Sequence, residues 1–174
     1  VSNCTAVGSL ALSKLTTGTP NDAFGVNALY NNTTGANNTA FGYQSLYSNT
    51  TGYQNTAIGT QALYTQTTAV NNVALGQSTL YSVTTGASNT AVGSAAGYAV
   101  STGYNNVLIG QTAAYSGSNN LTTGHDNIVI GINATPNAAG AINRIVIGNS
   151  GIGQGDNYVS IGMGGTNYIY NQFN

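Results

Sequence analysis

Charged residues are almost absent from this chain of 174 residues. They make up 3% of the sequence, as two basic residues (Lys14 and Arg144) and three acidic ones (Asp22, Asp126 and Asp156), whereas an ordinary soluble domain carries about 25%. A formal net charge of -1 offers no basic surface to a phosphate backbone, which argues against nucleic acid as a partner. The three aspartates are also too scattered to form the paired carboxylates of a glycosidase-like site.

Other chemical groups are equally scarce. The single cysteine, Cys4, cannot form an internal disulfide, and His125 has no second histidine to share a metal with. No stretch of 18 uninterrupted apolar residues is present, which argues against membrane insertion. The glycine-rich residues 151–155 do not open a helix after a strand, so they are not a phosphate-binding loop. We therefore expect no cofactor, no metal and no enzymatic activity.

What the sequence does contain is an internal repeat. A glycine preceded by an aliphatic or aromatic residue recurs every 17 residues from Gly8 to Gly110, and returns at Gly131, Gly148 and Gly162. A second series of glycines shows the same excess of four residues after position 110, which places an insertion at SGSNN, residues 116–120. The clearest copy of the repeat is NTAFGYQSLYSNTTGYQ, residues 38–54.

A 17-residue unit is too small to bury its own apolar face, so successive units must stack as coils about 4.8 Å apart. The alternation in NTAFG indicates a short strand, with Thr39 and Phe41 on one face and Ala40 on the other. The TTG stretch predicts a second short strand or a turn, and GYQSLYSN fits either a third extended side or one helical turn. The sequence thus predicts an all-β parallel solenoid over residues 1–148, closed by an irregular segment of the same fibre over residues 149–174.

Stacking places equivalent residues of successive coils above one another, and each such row is called a ladder here. The residues before the glycines form an aliphatic ladder, predicted to be the continuous core: Val7, Phe24, Phe41, Ile58, Leu75, Val92, Ile109, Ile130, Ile147 and Ile161. A leucine ladder is predicted to close that core from another side: Leu12, Leu29, Leu46, Leu63 and Leu80. An asparagine ladder is expected to bond coil to coil through its amides: Asn21, Asn38, Asn55, Asn72, Asn89, Asn106 and Asn127. A tyrosine ladder is a possible surface for contact with other molecules: Tyr30, Tyr47, Tyr64, Tyr81, Tyr98 and Tyr115.

One more ladder is predicted to lie on the strand face opposite the core. Its small members, which become larger toward the C-terminal end, are candidates for an oligomer interface, most simply in a homotrimer. This alanine ladder comprises Ala6, Ala23, Ala40, Ala57, Ala74, Ala91, Leu108, Val129 and Val146.

The repeats NTAFGYQSLYSNTTG, NTAIGTQALYTQTTA and NTAVGSAAGYAVSTG resemble two related groups of proteins. They are similar to the head repeats of trimeric autotransporter adhesins, although those units are usually shorter than this one. They resemble even more the tail-fibre and appendage repeats that precede an endosialidase-type intramolecular chaperone, where a segment like NRIVIGNSGIGQGDNYVSIGMGGTNYIY closes the array. The resemblance covers about residues 3–170 and implies a left-handed β-roll, a tight homotrimer and a place outside the cell, on a cell surface or on a virion.

The expected function is that of a structural fibre or filament subunit, whose partner is itself as a homotrimer, a head-to-tail polymer or both. One alternative is a glycan-binding adhesin module that uses the tyrosine and asparagine ladders. The glycosylation pattern Asn-x-Ser/Thr also occurs, at Asn3, Asn31, Asn32, Asn37, Asn49, Asn120 and Asn133.

The other alternative is ice binding through two threonine ladders, although adjacent threonines on a strand would point to opposite faces. These ladders are Thr16, Thr33, Thr50, Thr67 and Thr84, and Thr17, Thr34, Thr51, Thr68 and Thr85.

Overall fold

The computed structural model describes residues 3–115, 120–164 and 166–172, with only the backbone described in the last range. The described residues form short strands joined by turns and contain no helix. The strands are β1 (Cys4–Val7), β2 (Asn21–Phe24), β3 (Asn38–Phe41), β4 (Thr56–Ile58), β5 (Val73–Leu75), β6 (Thr90–Val92), β7 (Val107–Ile109), β8 (Ile128–Ile130), β9 (Ile145–Ile147), β10 (Tyr158–Met163) and β11 (Thr166–Gln172).

These strands form one sheet in chain order, which is the signature of a solenoid. β1 to β10 are parallel, and β11 folds back antiparallel onto β10. Phe41 pairs with Ile58, one coil further along, so like residues stack directly over one another as predicted. The predicted all-β parallel solenoid of 17-residue coils is therefore confirmed.

The insertion does not disturb this register. Ile109 in β7 pairs with Ile130 in β8, so a longer coil brings the chain back to the same position in the sheet. Residues 116–119 of the predicted insertion loop lie outside the described residues. The backbone N–H of Leu121 donates to the carbonyl of Ala114 (3.1 Å), which joins the two described ends of this segment.

The other two sides of each coil are turns that still bond to the next coil. The backbone N–H of Leu46 donates to the carbonyl of Ala62 (3.0 Å), and that of Thr50 donates to the carbonyl of Thr67 (2.9 Å). The GYQSLYSN segment is thus neither a strand nor a helical turn. Its leucine has a φ of 50°, a left-handed backbone that a leucine rarely adopts and that complete burial of the side chain offsets.

The glycine after each strand is required by the close approach of successive coils. Gly42 has a φ of 137°, and a Cβ placed on it would lie 2.6 Å from the carbonyl carbon of Gly59. Any side chain at this corner would collide with the backbone of the coil above it. The glycine series that follows the strands therefore marks a corner with no room for a side chain.

Candidate functional site

The alanine ladder lies inside the solenoid, so its predicted role as an oligomer interface is wrong. Ala40 is fully buried, while its neighbour Phe41 is 56% exposed. The strand alternates as predicted, but the small residue faces inward because the space between the strand and the leucine turn is narrow. Ala6, in the first coil, is exposed, and the rest of the ladder is buried: Ala23, Ala40, Ala57, Ala74, Ala91, Leu108, Val129 and Val146.

The growth of this ladder toward the C-terminal end compensates for smaller residues in the facing turn. The leucine ladder ends at Leu80 and continues as Gly97 and Ala114. A Cβ built on Gly97 would lie 2.6 Å from Cδ1 of Leu108, so the leucine has moved from the turn to the strand. In the preceding coils a turn leucine packs beside a strand alanine. Here the side chain of Leu108 fills the same space from the strand side. Gly97 and Leu108 are both buried, as close packing requires.

The aliphatic ladder is on the outside of the sheet, so the prediction that it forms the continuous core is also wrong. Ile58 and Leu75 are 39% and 38% exposed, and Phe24 and Phe41 stack with ring centroids 5.5 Å apart. A second ladder, two residues earlier in each strand, lies on the same face: Thr5, Asp22, Thr39, Thr56, Val73, Thr90, Val107, Ile128, Ile145 and Val159. These two ladders together are called the outer sheet face.

The tyrosine ladder forms a continuous stack of rings on a different side of the solenoid. The centroids of Tyr47 and Tyr64 are 5.2 Å apart with planes 7° from parallel, and Lys14 places its ammonium 4.7 Å from the ring centre of Tyr30. Burial raises the pKa of Tyr81, and the charges of its two ladder neighbours raise it further. Because the ring faces contact one another, a ligand would meet mainly ring edges and hydroxyl groups. This arrangement disfavours the stacking of sugars on the rings.

The asparagine ladder is confirmed as an internal hydrogen-bonded column. The backbone N–H of Asn106 donates to Oδ1 of Asn89 (3.1 Å), and the Asn89 amide donates to the carbonyl of Gly103 (2.9 Å). Cys4 occupies the ladder position of the first coil, where its thiol lies 3.8 Å from the carbonyl of Gly18. The column therefore serves coil-to-coil bonding inside the solenoid and is not available to a glycan.

A second internal polar ladder was missed by sequence reasoning. Asn49 donates to Oδ1 of Asn32 (2.9 Å), and Gln66 continues the column to Oδ1 of Asn49 (3.3 Å). All three side chains are fully buried, so Asn32 and Asn49 cannot accept a glycan in the folded chain. The signal was available, because polar residues recur at this position in three coils and are followed by Val83 and Val100.

The two threonine ladders lie at a bend, and both reach the surface. Thr33 and Thr50 are half-buried and donate their hydroxyls to the carbonyls of the next coil, both at 3.1 Å. The second ladder is exposed in every coil: Thr17, Thr34, Thr51, Thr68 and Thr85. The expectation that adjacent threonines would point to opposite faces is wrong, because this segment is a bend and not a strand.

The sole histidine is part of a small exposed cluster. Nδ1 of His125 lies 2.8 Å from Oδ2 of Asp126, and the imidazole stacks on Tyr104 with centroids 4.5 Å apart. Hydrogen bonds from His125 and then Asn105 lower the pKa of the Asp126 carboxyl, against the opposing effect of burial. These contacts bind adjacent coils together on the surface.

Arg144 ends the asparagine ladder and forms an ion pair with Asp156. Its backbone N–H donates to Oδ1 of Asn127 (3.0 Å), and its Nε donates to Oδ1 of Asp156 (2.8 Å). The backbone N–H of Ile142 is the main cause of the lowered pKa of Asp156, and the guanidinium adds to it. This pair keeps a buried guanidinium neutralised at the end of the polar column.

Within the described ranges, no three metal-ligating side chains come together, and no helix could cross a bilayer. Asp22 lies on the outer sheet face, whereas Asp126 bonds to His125 and Asp156 to Arg144. The outer sheet face carries exposed apolar side chains, including Val7, Phe41 and Ile58. No protein-family model matches this chain, and no curated protein or solved structure matches it either.

Proposed function

We propose that this chain is a structural subunit of an extracellular fibre and acts by self-assembly, most simply as a homotrimer. The observation that carries the proposal is the outer sheet face, along which a ladder of large apolar side chains is exposed or half-buried from coil to coil. Monomeric soluble proteins rarely expose contiguous apolar patches of more than a few hundred Å². A second copy of the chain would cover this surface.

The remainder of the molecule suits a passive rod. Its internal polar ladders join each coil to the next by uncharged hydrogen bonds, and its tyrosine ladder does so by stacked rings. Like charges would repel one another in such ladders, so the near absence of charge favours stacking. The resemblance to adhesin and tail-fibre repeats supports a cell surface or a virion as the location and a left-handed winding. Surface contact, with no catalysis, is the proposed mode of action.

Growth along the rod is a second part of the proposal. Coils of a solenoid stack on one another through the edges of their strands, so a coil at an end of the stack is a template for a further coil. Head-to-tail association of chains would extend the fibre along its axis.

The test measures assembly directly. Native mass spectrometry and negative-stain electron microscopy of the full chain should show trimers, or rods of defined width, at micromolar concentration. Phe41→Ser on the outer sheet face should shift the population toward monomer, whereas Ser94→Ala, an exposed change on another side of the solenoid, should leave it unchanged. A chain that stays monomeric at all concentrations would refute the proposal.

Ice binding is a second candidate function, favoured by the exposed threonine ladder at the bend. Evenly spaced hydroxyl and methyl groups along a rigid solenoid could match the repeat of a crystal surface. Thermal hysteresis in the freezing of a dilute solution would support this function. Substitution of Thr51 by lysine should then reduce the hysteresis without unfolding the chain.

A further inference from the structure

The tyrosine ladder holds six phenol rings in one row, with one ring in each of six successive coils. The centroids of neighbouring rings are 4.8–5.3 Å apart, and from Tyr30 to Tyr98 the planes of neighbours lie within 9° of parallel. Aromatic pairs in proteins have centroids about 4.5–7 Å apart, so these rings are near the lower end of that range. Each phenol of the ladder therefore has another phenol at close range.

The turns that carry these rings hold them in place without covering them. The backbone N–H of Ser48 donates to the carbonyl of Tyr64 (3.1 Å), and that of Ser82 donates to the carbonyl of Tyr98 (3.1 Å), so the backbone at the ladder is bonded from coil to coil. Each ladder tyrosine is half-buried. An oxidant in solution can thus reach part of each residue, while the ring keeps its neighbours.

Two tyrosines outside the ladder are more exposed but have no tyrosine beside them in the next coil. Tyr43 and Tyr53 are 48% and 47% exposed, and the residues one repeat further along are Thr60 and Val70. A reaction that requires only exposure would select these two tyrosines. A reaction that requires two adjoining phenols would select the ladder instead.

Oxidative coupling is a reaction of adjoining phenols. A haem peroxidase removes one electron and one proton from each of two phenols, and hydrogen peroxide accepts both electrons and both protons to become two molecules of water. The two neutral phenoxyl radicals form a C–C bond between ring carbons ortho to their oxygens. The hydrogen on each of these carbons then moves to the oxygen as a proton. The product, dityrosine, has lost two hydrogen atoms in total.

The ladder geometry favours this coupling within one chain. Two reactants that are held side by side react as if each were present at a very high local concentration. Tyr47 and Tyr64 are held in this way, with ring centroids 5.2 Å apart and planes 7° from parallel. A radical formed on one ring therefore meets the neighbouring ring of its own chain before it meets another molecule.

We propose that the tyrosine ladder is a site of oxidative modification, at which neighbouring tyrosines couple into dityrosine and link successive coils of one chain covalently. The oxidant is hydrogen peroxide, used by an external haem peroxidase. The modification converts a non-covalent stack of rings into covalent links along the solenoid axis. This inference goes beyond the proposed fibre function and does not rest on it, because the links form within a single chain.

The first test treats the full chain at low micromolar concentration with a haem peroxidase and hydrogen peroxide, and separates the products under denaturing conditions. The single-chain product should acquire dityrosine fluorescence, and its mass should fall by two hydrogen atoms for each link. Peptide mass spectrometry should place the links between neighbouring ladder tyrosines, such as Tyr47 and Tyr64. Dityrosine only in products of higher mass, links elsewhere in the single chain, or no dityrosine at all would each overturn the proposal.

A pair of variants separates the geometry of the ladder from its content of tyrosine. Both carry phenylalanine at the six tyrosines outside the ladder and at three of the six within it, so both keep three phenols among six aromatic rings. The adjacent variant keeps Tyr30, Tyr47 and Tyr64, whereas the alternating variant keeps Tyr30, Tyr64 and Tyr98. Phenols of the alternating variant are two coils, or about 10 Å, apart. We expect its yield of single-chain dityrosine to be at least about tenfold lower than that of the adjacent variant.

The same comparison in concentrated urea is the control. In the unfolded chain the two variants differ only in the length of sequence between their tyrosines, one repeat against two, which changes the chance of contact by less than about threefold. The variants have the same composition, so a larger ratio in the folded chain comes from the ladder. A folded ratio no larger than the ratio in urea would overturn the proposal.

Discussion

The exchange of volume between Gly97 and Leu108 can be tested by a double-mutant cycle. Leu108→Ala alone removes a fully buried side chain and should lower the free energy of unfolding by about 2–5 kcal/mol. Gly97→Leu alone should also destabilise, by about 1–3 kcal/mol or more, since its Cβ would lie 2.6 Å from Cδ1 of Leu108 and 2.8 Å from Cδ2 of Leu80.

The two changes together should nearly cancel. They recreate the pairing of a turn leucine with a strand alanine that the preceding coils contain at Leu80 and Ala91. The backbone already suits a leucine, because Gly97 has a φ of 61° and the leucine at position 46 has a φ of 50°. We expect the double variant to lie within about 1 kcal/mol of the parent, with a favourable coupling of about 3 kcal/mol or more.

Equilibrium urea unfolding provides the measurement. The chain has no tryptophan and 12 tyrosines, so tyrosine fluorescence and far-UV circular dichroism are the practical signals. Because repeat arrays can unfold in parts, amide hydrogen exchange in residues 90–113 should confirm that the loss and the recovery occur in these coils. Ser94→Ala, an exposed change in the same region, is the control and should stay within about 0.5 kcal/mol. Additive losses in the double variant would refute the compensation.

Three further predictions concern the polar column, the corners and the closing ion pair. Asn89→Ala leaves a buried backbone N–H and a buried carbonyl without partners, so urea unfolding should show a loss of about 2–6 kcal/mol. Gly42→Ala should prevent a native thermal transition, whereas Gly140→Ala, whose added Cβ would meet only a hydroxyl at 3.5 Å, should melt like the parent. The pKa of Asp156 is lowered, so its stabilising effect is complete above the unfolded value of 3.8 and is lost as the pH falls through the folded pKa. Melting temperatures measured from pH 6 to pH 2 should show this loss, which Asp156→Asn should remove; an unchanged pH profile in that variant would contradict it.

The spacing of the glycines was sufficient to predict the coil length, the register and the insertion. Phe41 lies next to Ile58 in the sheet because only a stacked arrangement can bury a unit of 17 residues. The leucine ladder was also predicted correctly as part of the core, and the asparagine ladder as a coil-to-coil hydrogen-bonded column. These conclusions depend on periodicity, which does not require knowing the direction in which each side chain points.

The direction of the strand faces could not be obtained from hydrophobicity. Phe41 is larger and more apolar than Ala40, yet it is the alanine that faces the interior. The width of the interior decides which strand residue faces inward. The turn leucine already occupies most of that space, so only a small strand residue fits beside it. A signal was present in the inverse sizes of Gly97 and Leu108, which indicates that the two positions share one volume. The left-handed backbone of the leucines gave no sequence signal, because leucine is unusual in that conformation.

The lengthened coil between β7 and β8 has a practical consequence for engineering this rod. Four additional residues are accommodated between Ala114 and Leu121, and the strands on either side keep their alignment. A coil that contains one natural extension while its flanking strands keep their pairing should accept longer ones. Peptide epitopes or binding loops grafted between these two residues would thus be displayed at a fixed height along the solenoid.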